Sequence, residues 1–388
     1  MSSNDEEKEA AHWSELPSEL LWMFAERLSF VENVKMASVC NNWRHAIQSL
    51  SVVKPQDTHS HCEPWMMVIK NINSNEREFV SASTKEKYTF SHGDFRGADL
   101  LSSKQGWLLL RRLKSSPPSE PECCYTIFLV NPIFEGKTPM PNFNCTRLFH
   151  GVFTLVDGNP HCVVLADFCK VTEVTLWIAR PDDAAWTKHQ PSFNKFNYYE
   201  LAIATGSYYR EVRDWKKLCS SCHYLIVIGQ YVYCFDAIGR CCIFDMVGLV
   251  WRGIPGLEPC TESPGYITEN KGKIVLFKPN NKFTELCFFK LKHLGATTAR
   301  WLKMRDYDME DECLIFSKNL LFVNAKLRGV KEFYLLKHGV LRKKSVWARG
   351  SSIQVHNLMD EKNRDEDLLV DLLSQHSVWV DLPGPSVN

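Results

Sequence analysis

Apolar side chains fall on two different rhythms along this chain. From Trp13 to Leu50, "WSELPSELLWMFAERLSFVENVKMASVCNNWRHAIQSL", they recur with a helical beat. Pro17 suits the first turn of a helix, where its missing N–H is not needed. Leu20, Leu21, Phe24 and Leu28 follow it on one apolar face. Cys40, Trp43, Ile47 and Leu50 repeat the pattern at i, i+3, i+7 and i+10, with Val39 and Ala46 widening the stripe. The stretch between, "SFVENVKMAS", predicts a turn and a short helix. After Leu50 the rhythm changes. "SVVKPQDTHSHCE" is polar and turn-rich, as a linker is. Short runs then follow, such as "PWMMVIK", "GWLLLRR", "CYTIFLVNP", "HCVVLADF", "EVTLWIARP", "YLIVIGQYVYCFD", "GKIVLFKP" and "ECLIFSKNLLFVNA". They are rich in Val, Ile, Phe, Tyr and Leu, are bounded by Gly, Pro, Asn or Asp, and predict strands. The best later helix candidate is "FNYYELAIAT".

The strand runs come in five or six groups. Trp186, Trp251, Trp301 and Trp347 close successive groups, separated by 65, 50 and 46 residues. That loose period fits β-propeller blades, each a four-stranded sheet of about 40–50 residues, and predicts five to seven blades. A pair of β-sandwiches would also place one core Trp in each group. The Gly-Gly and Trp-Asp marks of kelch and WD repeats are absent. The helical patch raises a separate question. Below about 40 residues a lone domain usually needs a metal, disulfides or a partner, and the patch has no metal-ligand pattern. Its helices therefore dock either on the β region behind them or on another protein.

The residues of the patch resemble an F-box. "LPSELLWMFAERLS" followed by "VKMASVCNNWRHAI" matches that family's Leu-Pro, Leu-Leu helix, Leu-Ser stop and Val-Cys-x-x-Trp-Arg at Leu16, Pro17, Leu20, Leu21, Leu28, Ser29, Val39, Cys40, Trp43 and Arg44. The middle, "FVENV", departs from the usual Asp-Leu start of the second helix. The resemblance implies a surface for the Skp-type adaptor of a cullin–RING ubiquitin ligase. The adaptor-binding residues expected from it are Leu16, Pro17, Leu20, Leu21, Phe24, Leu28, Val39, Cys40 and Trp43. The β region resembles the C-terminal domain of a large plant F-box family, described as a KIB-type β-propeller, in "PWMMVI", "GWLLL", "FLVNPI", "MPNF", "VYCFDAIGRCCIFD" and "SVWVDLPGP". The expected organisation is a disordered 1–12, an F-box over 13–50, a linker over 51–61 and a propeller over 62–383. "SVWVDLP" is expected to pair with an N-terminal strand and close the ring, which removes exposed sheet edges.

Charge and chemistry narrow the function. The composition is 45% hydrophobic and 23% charged with a net charge of +1, which gives no push toward nucleic acid or membrane. The start, "MSSNDEEKEAAHW", lacks the basic and apolar regions of a signal peptide, so the 15 cysteines are expected to be thiols in a reducing compartment, nucleus or cytoplasm. Cys219 and Cys222 with Cys241 and Cys242 are a poor zinc set, because adjacent residues on a strand point to opposite faces. His59 and His61, with His92, His150 and His161 scattered beyond them, form no ligand pattern. Asp157, Asp167, Asp182 and Asp183 sit at strand ends, where Asp is a common turn residue. No nucleophile elbow, phosphate loop or His-Glu-x-x-His occurs. No catalytic residue, metal or cofactor is implied.

The expected function is the substrate-recognition subunit of an SCF-type E3 ligase. The F-box holds the adaptor, and through it cullin; the propeller holds a target protein. "NSNER", "KSSPPSEPE", "ARPDDAAW" and "PNNKF" are candidate target loops. The family resemblance also offers a second reading, in which the propeller is a non-catalytic inhibitor of a glycogen-synthase-kinase-like enzyme.

Overall fold

A computed structural model describes residues 13–25, 27–28, 30–53, 65–81, 87–115, 123–132, 136–145, 149–167, 174–191, 222–236, 241–253, 266–270, 272–279, 286–293, 299–304, 313–316, 320–324, 330–337, 340–349, 352–356 and 376–380. A short 3-10 turn (Trp13–Glu15) precedes α1 (Ser18–Ala25), α2 (Phe30–Ala37) and α3 (Asn41–Val53). The Pro17 carbonyl accepts the first amides of α1, Leu20 N at 3.1 Å and Leu21 N at 3.2 Å, so Pro17 stands at the helix boundary. The F-box boundary expected at Leu50 falls inside α3, which runs on to Val53. The physical reason lies in Pro55. It disfavours helical backbone only at the residue before it, so nothing in the sequence stops the helix at Leu50. The candidate helix "FNYYELAIAT", His59, His61 and Cys219 lie outside the described residues.

Strands follow the helices, grouped into six antiparallel sheets among the described residues. The first contains β1 (Trp65–Ile69), β2 (Glu76–Ser81) and β3 (Lys87–Ser91). The second contains β4 (Ala98–Lys104), β5 (Trp107–Ser115), β6 (Cys123–Asn131) and β7 (Gly136–Pro139), with β8 (Phe143–Cys145) also paired to β6. The third holds β9 (His150–Val156), β10 (Asn159–Asp167), β11 (Thr175–Ala179) and β12 (Thr187–His189). The fourth holds β13 (Cys222–Ile228), β14 (Tyr231–Asp236), β15 (Cys241–Asp245) and β16 (Val250–Gly253). The fifth holds β17 (Tyr266–Asn270), β18 (Lys273–Pro279), β19 (Leu286–His293) and β20 (Ala299–Lys303). The sixth holds β21 (Cys313–Phe316), β22 (Leu320–Asn324), β23 (Val330–Lys337), β24 (Val340–Arg349) and β25 (Ser352–His356). The last strand, β26 (His376–Val380), returns to the first sheet and pairs with β1 from Trp65↔Val380 to Ile69↔His376.

Inner strands define a ring. β26 lies beside β4, β4 beside β9, β9 beside β13, β13 beside β17 and β17 beside β21. This is a β-propeller whose first blade is completed by the C-terminal strand, and the pairing expected of "SVWVDLP" with an N-terminal strand is present. Two-residue turns reverse the chain between first and second strands. At Gln105–Gly106 and Asp157–Gly158 both residues have positive φ, 47° and 82°, then 50° and 75°, the form that matches strand twist in a hairpin.

The blades explain the unbroken apolar runs. In β5, Leu108 and Leu110 pack in the core between the first and second blades. Their neighbours Trp107 and Leu109 pack between the second and third. Both faces of the strand are covered, so apolar and polar residues need not alternate. Three of the four marker tryptophans close their sheets, with Trp186 just ahead of β12, Trp251 in β16 and Trp301 in β20. Trp347 lies in β24, the fourth strand of a five-stranded sheet.

Candidate functional site

The helical patch has two faces with different fates. On α1, Leu21 and Ala25 are buried and join Met36, Ala37, Ala46 and Ile47 in a core of the patch's own. Leu16, Leu28, Trp22 and Trp43 pack against it. Leu20, Met23 and Phe24, on the opposite side of the same helix, are 42%, 52% and 51% exposed. Pro17 is exposed just before them, and Val39, between α2 and α3, is 59% exposed. Of the residues expected to bind an adaptor, Pro17, Leu20, Phe24 and Val39 thus face outward. Leu16, Leu21, Leu28 and Trp43 serve the module's interior, and Cys40 is half-buried. Met23 and Trp13 are exposed apolar residues that the motif did not single out. Met23 was legible, because it lies three residues after Leu20 and beside Phe24 on a helix.

Polar bonds hold this face in shape. The Trp22 indole N–H donates to the Ala46 carbonyl at 2.7 Å and fixes α1 against α3. Asn33 Nδ2 donates to the carbonyls of Ala25 at 3.0 Å and Leu28 at 3.3 Å, tying α2 to the end of α1 and the turn after it. The Trp43 indole N–H reaches the Trp13 carbonyl at 2.8 Å. Arg44 Nε donates to the Ala37 carbonyl at 3.3 Å. The Trp-Arg pair of the motif therefore works as internal bracing. Val34 of α2 leaves the module and packs in the core of the first blades, with Met67, Phe79 and Phe90.

The propeller's candidate loops divide between its two rims. Counting β26 as the first strand of its sheet, "NSNER" joins a second strand to a third and "ARPDDAAW" a third to a fourth. Successive connections alternate between rims, so these two segments lie on opposite ones. Most of "KSSPPSEPE" and "PNNKF" lies outside the described residues. Arg77, the last residue of "NSNER", points inward and is 1% exposed. Its guanidinium donates to the carbonyls of Asn71, Ser74 (2.9 Å), Phe95 and Ala98 (3.2 Å). Burial pulls its pKa down, and nearby Asp99 pulls it back up. "ARPDDAAW" is mostly exposed and closes on itself, the Arg180 amide donating to Asp183 Oδ2 at 2.7 Å.

On the same rim as "ARPDDAAW", the turn from the third to the fourth strand of the fourth blade carries an apolar tip at Val247, Leu249 and Val250, 74%, 61% and 47% exposed. Asp245 shapes it. Its Oδ1 accepts from the amides of Val247 (3.0 Å) and Gly248 (3.1 Å) and from Gln230 Nε2 (3.0 Å). The Gly248 amide above all, with Val247, Gln230 and Arg252, holds this carboxyl below its ordinary pKa against the effect of burial. Across the ring, Lys104 of the second blade meets Glu269 of the fifth at 3.2 Å. Cys241 and Cys242 are both buried and enter different cores, as adjacent strand residues must. Asp157 and Asp183 occupy turns. Among the described residues no group of three or more His, Cys, Asp or Glu is placed to hold a metal ion, and no helix is long and apolar enough to cross a membrane.

Fold and patch together define a class, an F-box-type helical module on a β-propeller. The sequence model of the F-box domain matches residues 13–54, and that of the KIB1-4 beta-propeller matches 79–332. The chain belongs to the KIB1-4 β-propeller family, with an F-box at its front. An F-box protein of Arabidopsis thaliana is 22% identical over 274 residues, which cover 67% of this chain and 62% of that relative. An F-box/kelch-repeat protein of the same plant is 23% identical over 315 residues, covering 75% and 70%. The β-propeller domain of Swd1 from Myceliophteria thermophila superposes with a TM-score of 0.36 at 9% identity, covering 74% of this chain and 92% of that one.

Proposed function

We propose that this chain is the substrate-recognition subunit of an SCF-type ubiquitin ligase. Its helical module docks a Skp-type adaptor, and through it cullin, while its propeller binds a target protein. The observation that carries this reading is the divided α1. Leu21 and Ala25 build the module, whereas Leu20, Met23 and Phe24 stand exposed in one apolar face with Pro17 beside them. A helix that has already buried one face presents the other to a partner. The packing of Val34 into the first blades ties that partner's position to the propeller. Such a subunit makes and breaks no bonds. It raises the effective concentration of target lysines at the ligase, in nucleus or cytoplasm.

The test is co-purification of the full chain with a plant Skp-type adaptor. Leu20→Asp with Phe24→Asp places two charges in the proposed contact and should weaken binding at least about 100-fold, since each factor of ten is about 1.4 kcal/mol. Its circular dichroism should match that of the unaltered chain, because neither side chain serves the core. Failure of the unaltered chain to bind would remove the reading.

A further inference from the structure

The register of β6 and β8 sets Cys123 directly opposite Cys145. Directly opposed residues on antiparallel strands have Cα atoms about 4.5–5.5 Å apart, within the about 4.4–6.8 Å that a disulfide spans. Both side chains leave the same face of the sheet. Tyr125, two residues beyond Cys123, and its opposite residue Phe143 join Cys145 in the core between the second and third blades. Cys123 is half-exposed at the start of its strand, and Cys145 is 8% exposed at the end of its own. The Arg111 guanidinium lies 5.7 Å from the Tyr125 ring centre and 5.2 Å from that of Phe149, with Nε and Nη1 buried and without hydrogen-bond partners.

A second opposed pair supplies the contrast. Cys234 faces Cys242 across β14 and β15. Both are 0% exposed, in one core with Cys162, whose thiol burial pushes up to about 11. Geometry allows a bond there too, but burial denies an oxidant access to it.

We propose that Cys123 and Cys145 are a reversible oxidation site, closed by a peroxide into a cross-strand disulfide. The more exposed Cys123 attacks a peroxide oxygen. An S–O bond forms as the O–O bond breaks, leaving a sulfenic acid and one water. Cys145 then attacks that sulfur and expels the hydroxyl, which departs with the thiol proton as a second water. Two thiols lose two electrons and two protons, and one hydrogen peroxide becomes two waters. Glutathione reverses the step by thiol–disulfide exchange. The bond ties the first residue of β6, where the candidate loop "KSSPPSEPE" ends in sequence, to the last residue of β8. The proposal holds whether or not the chain binds an adaptor.

The experiment uses the full chain, purified reduced and exposed to a small excess of hydrogen peroxide. Remaining thiols are alkylated after denaturation, and peptides are mapped by mass spectrometry without reduction. A Cys123–Cys145 linked peptide should appear, vanish on treatment with dithiothreitol, and precede any linkage of Cys234 to Cys242. In Cys145→Ser the link should be lost and Cys123 should instead react with dimedone, a trap for sulfenic acid. Recovery of Cys123 and Cys145 as thiols while other cysteines oxidise would overturn the proposal, as would linkage of Cys123 to Cys124.

Discussion

Arg77 and Asp245 are both buried charges, and their surroundings differ. Arg77 meets carbonyl oxygens of the 71–76 turn and of the segment leading into β4, so one side chain fastens the first blade to the second. Arg77→Met keeps the length and removes the donors. The Phe95 and Ala98 carbonyls then lose a buried donor, and about 1–3 kcal/mol of stability should be lost, measured by urea unfolding. Asp245 has a pKa held down in the fold by the Gly248 amide first. A depressed folded value gives stability that is whole above the ordinary aspartate range, about pH 4, and fades as pH falls through the folded value. Asp245→Asn should therefore be less stable than the unaltered chain at pH 7, by about 1–3 kcal/mol. The gap should close as thermal unfolding is repeated toward about pH 2. Neither residue was legible as structural. Arg77 lies in a polar run that reads as a surface loop, and Asp245 reads as one more turn aspartate; only the fold shows what each one holds.

At the scale of elements, α1 separates roles that the motif runs together. The helical period places Leu20, Leu21, Phe24 and Leu28 on one broad stripe, but only Leu21 and Leu28 contribute to the patch's core. Leu21→Ala leaves a cavity at a fully buried position and should cost about 2–5 kcal/mol, seen as earlier melting of the helical signal. The strands were legible in proportion to their burial. Runs such as β5 and β10, apolar through most of their length, were read correctly because both faces meet neighbouring blades. β4 ("ADLLSSK") and β17 ("YITEN") were missed. Ser102, Ser103 and Lys104 in β4 and Thr268, Glu269 and Asn270 in β17 break the apolar run, so the signal fails there. The contact between α2 and the propeller was invisible for another reason. Val34 is one of three apolar residues in "VENVKM", nothing in the sequence separates it from Val31 and Met36, and its partners are sequence-distant. Val34→Asp should free the module from the blades while keeping its helicity, read as faster proteolysis between residues 53 and 65.

The whole molecule depends on how its ring is held shut, and two devices compete for that role. Lys104 and Glu269 join the second blade to the fifth, far apart in sequence, and look like a strut across the ring. Their side chains are 32% and 23% exposed, and pairs this open to water contribute about 0–1 kcal/mol. β26 does far more. It supplies five paired positions to β1 and stands beside β4, so it is at once the inner strand of the first blade and the seam between the chain's ends. Removing residues 376–388 would strip β1 of one of its two partners, leaving it paired to β2 alone, and expose an unpaired edge, a template for association with other chains. The truncated protein should melt at a lower temperature and elute from a sizing column as oligomers. Lys104→Met should change neither measurement appreciably. If the truncated chain instead stayed monomeric with unchanged melting while Lys104→Met opened the ring, closure would rest on the strut and not on the seam. The magnitudes favour the seam, because a strand's hydrogen bonds and packing act together whereas one screened ion pair acts alone.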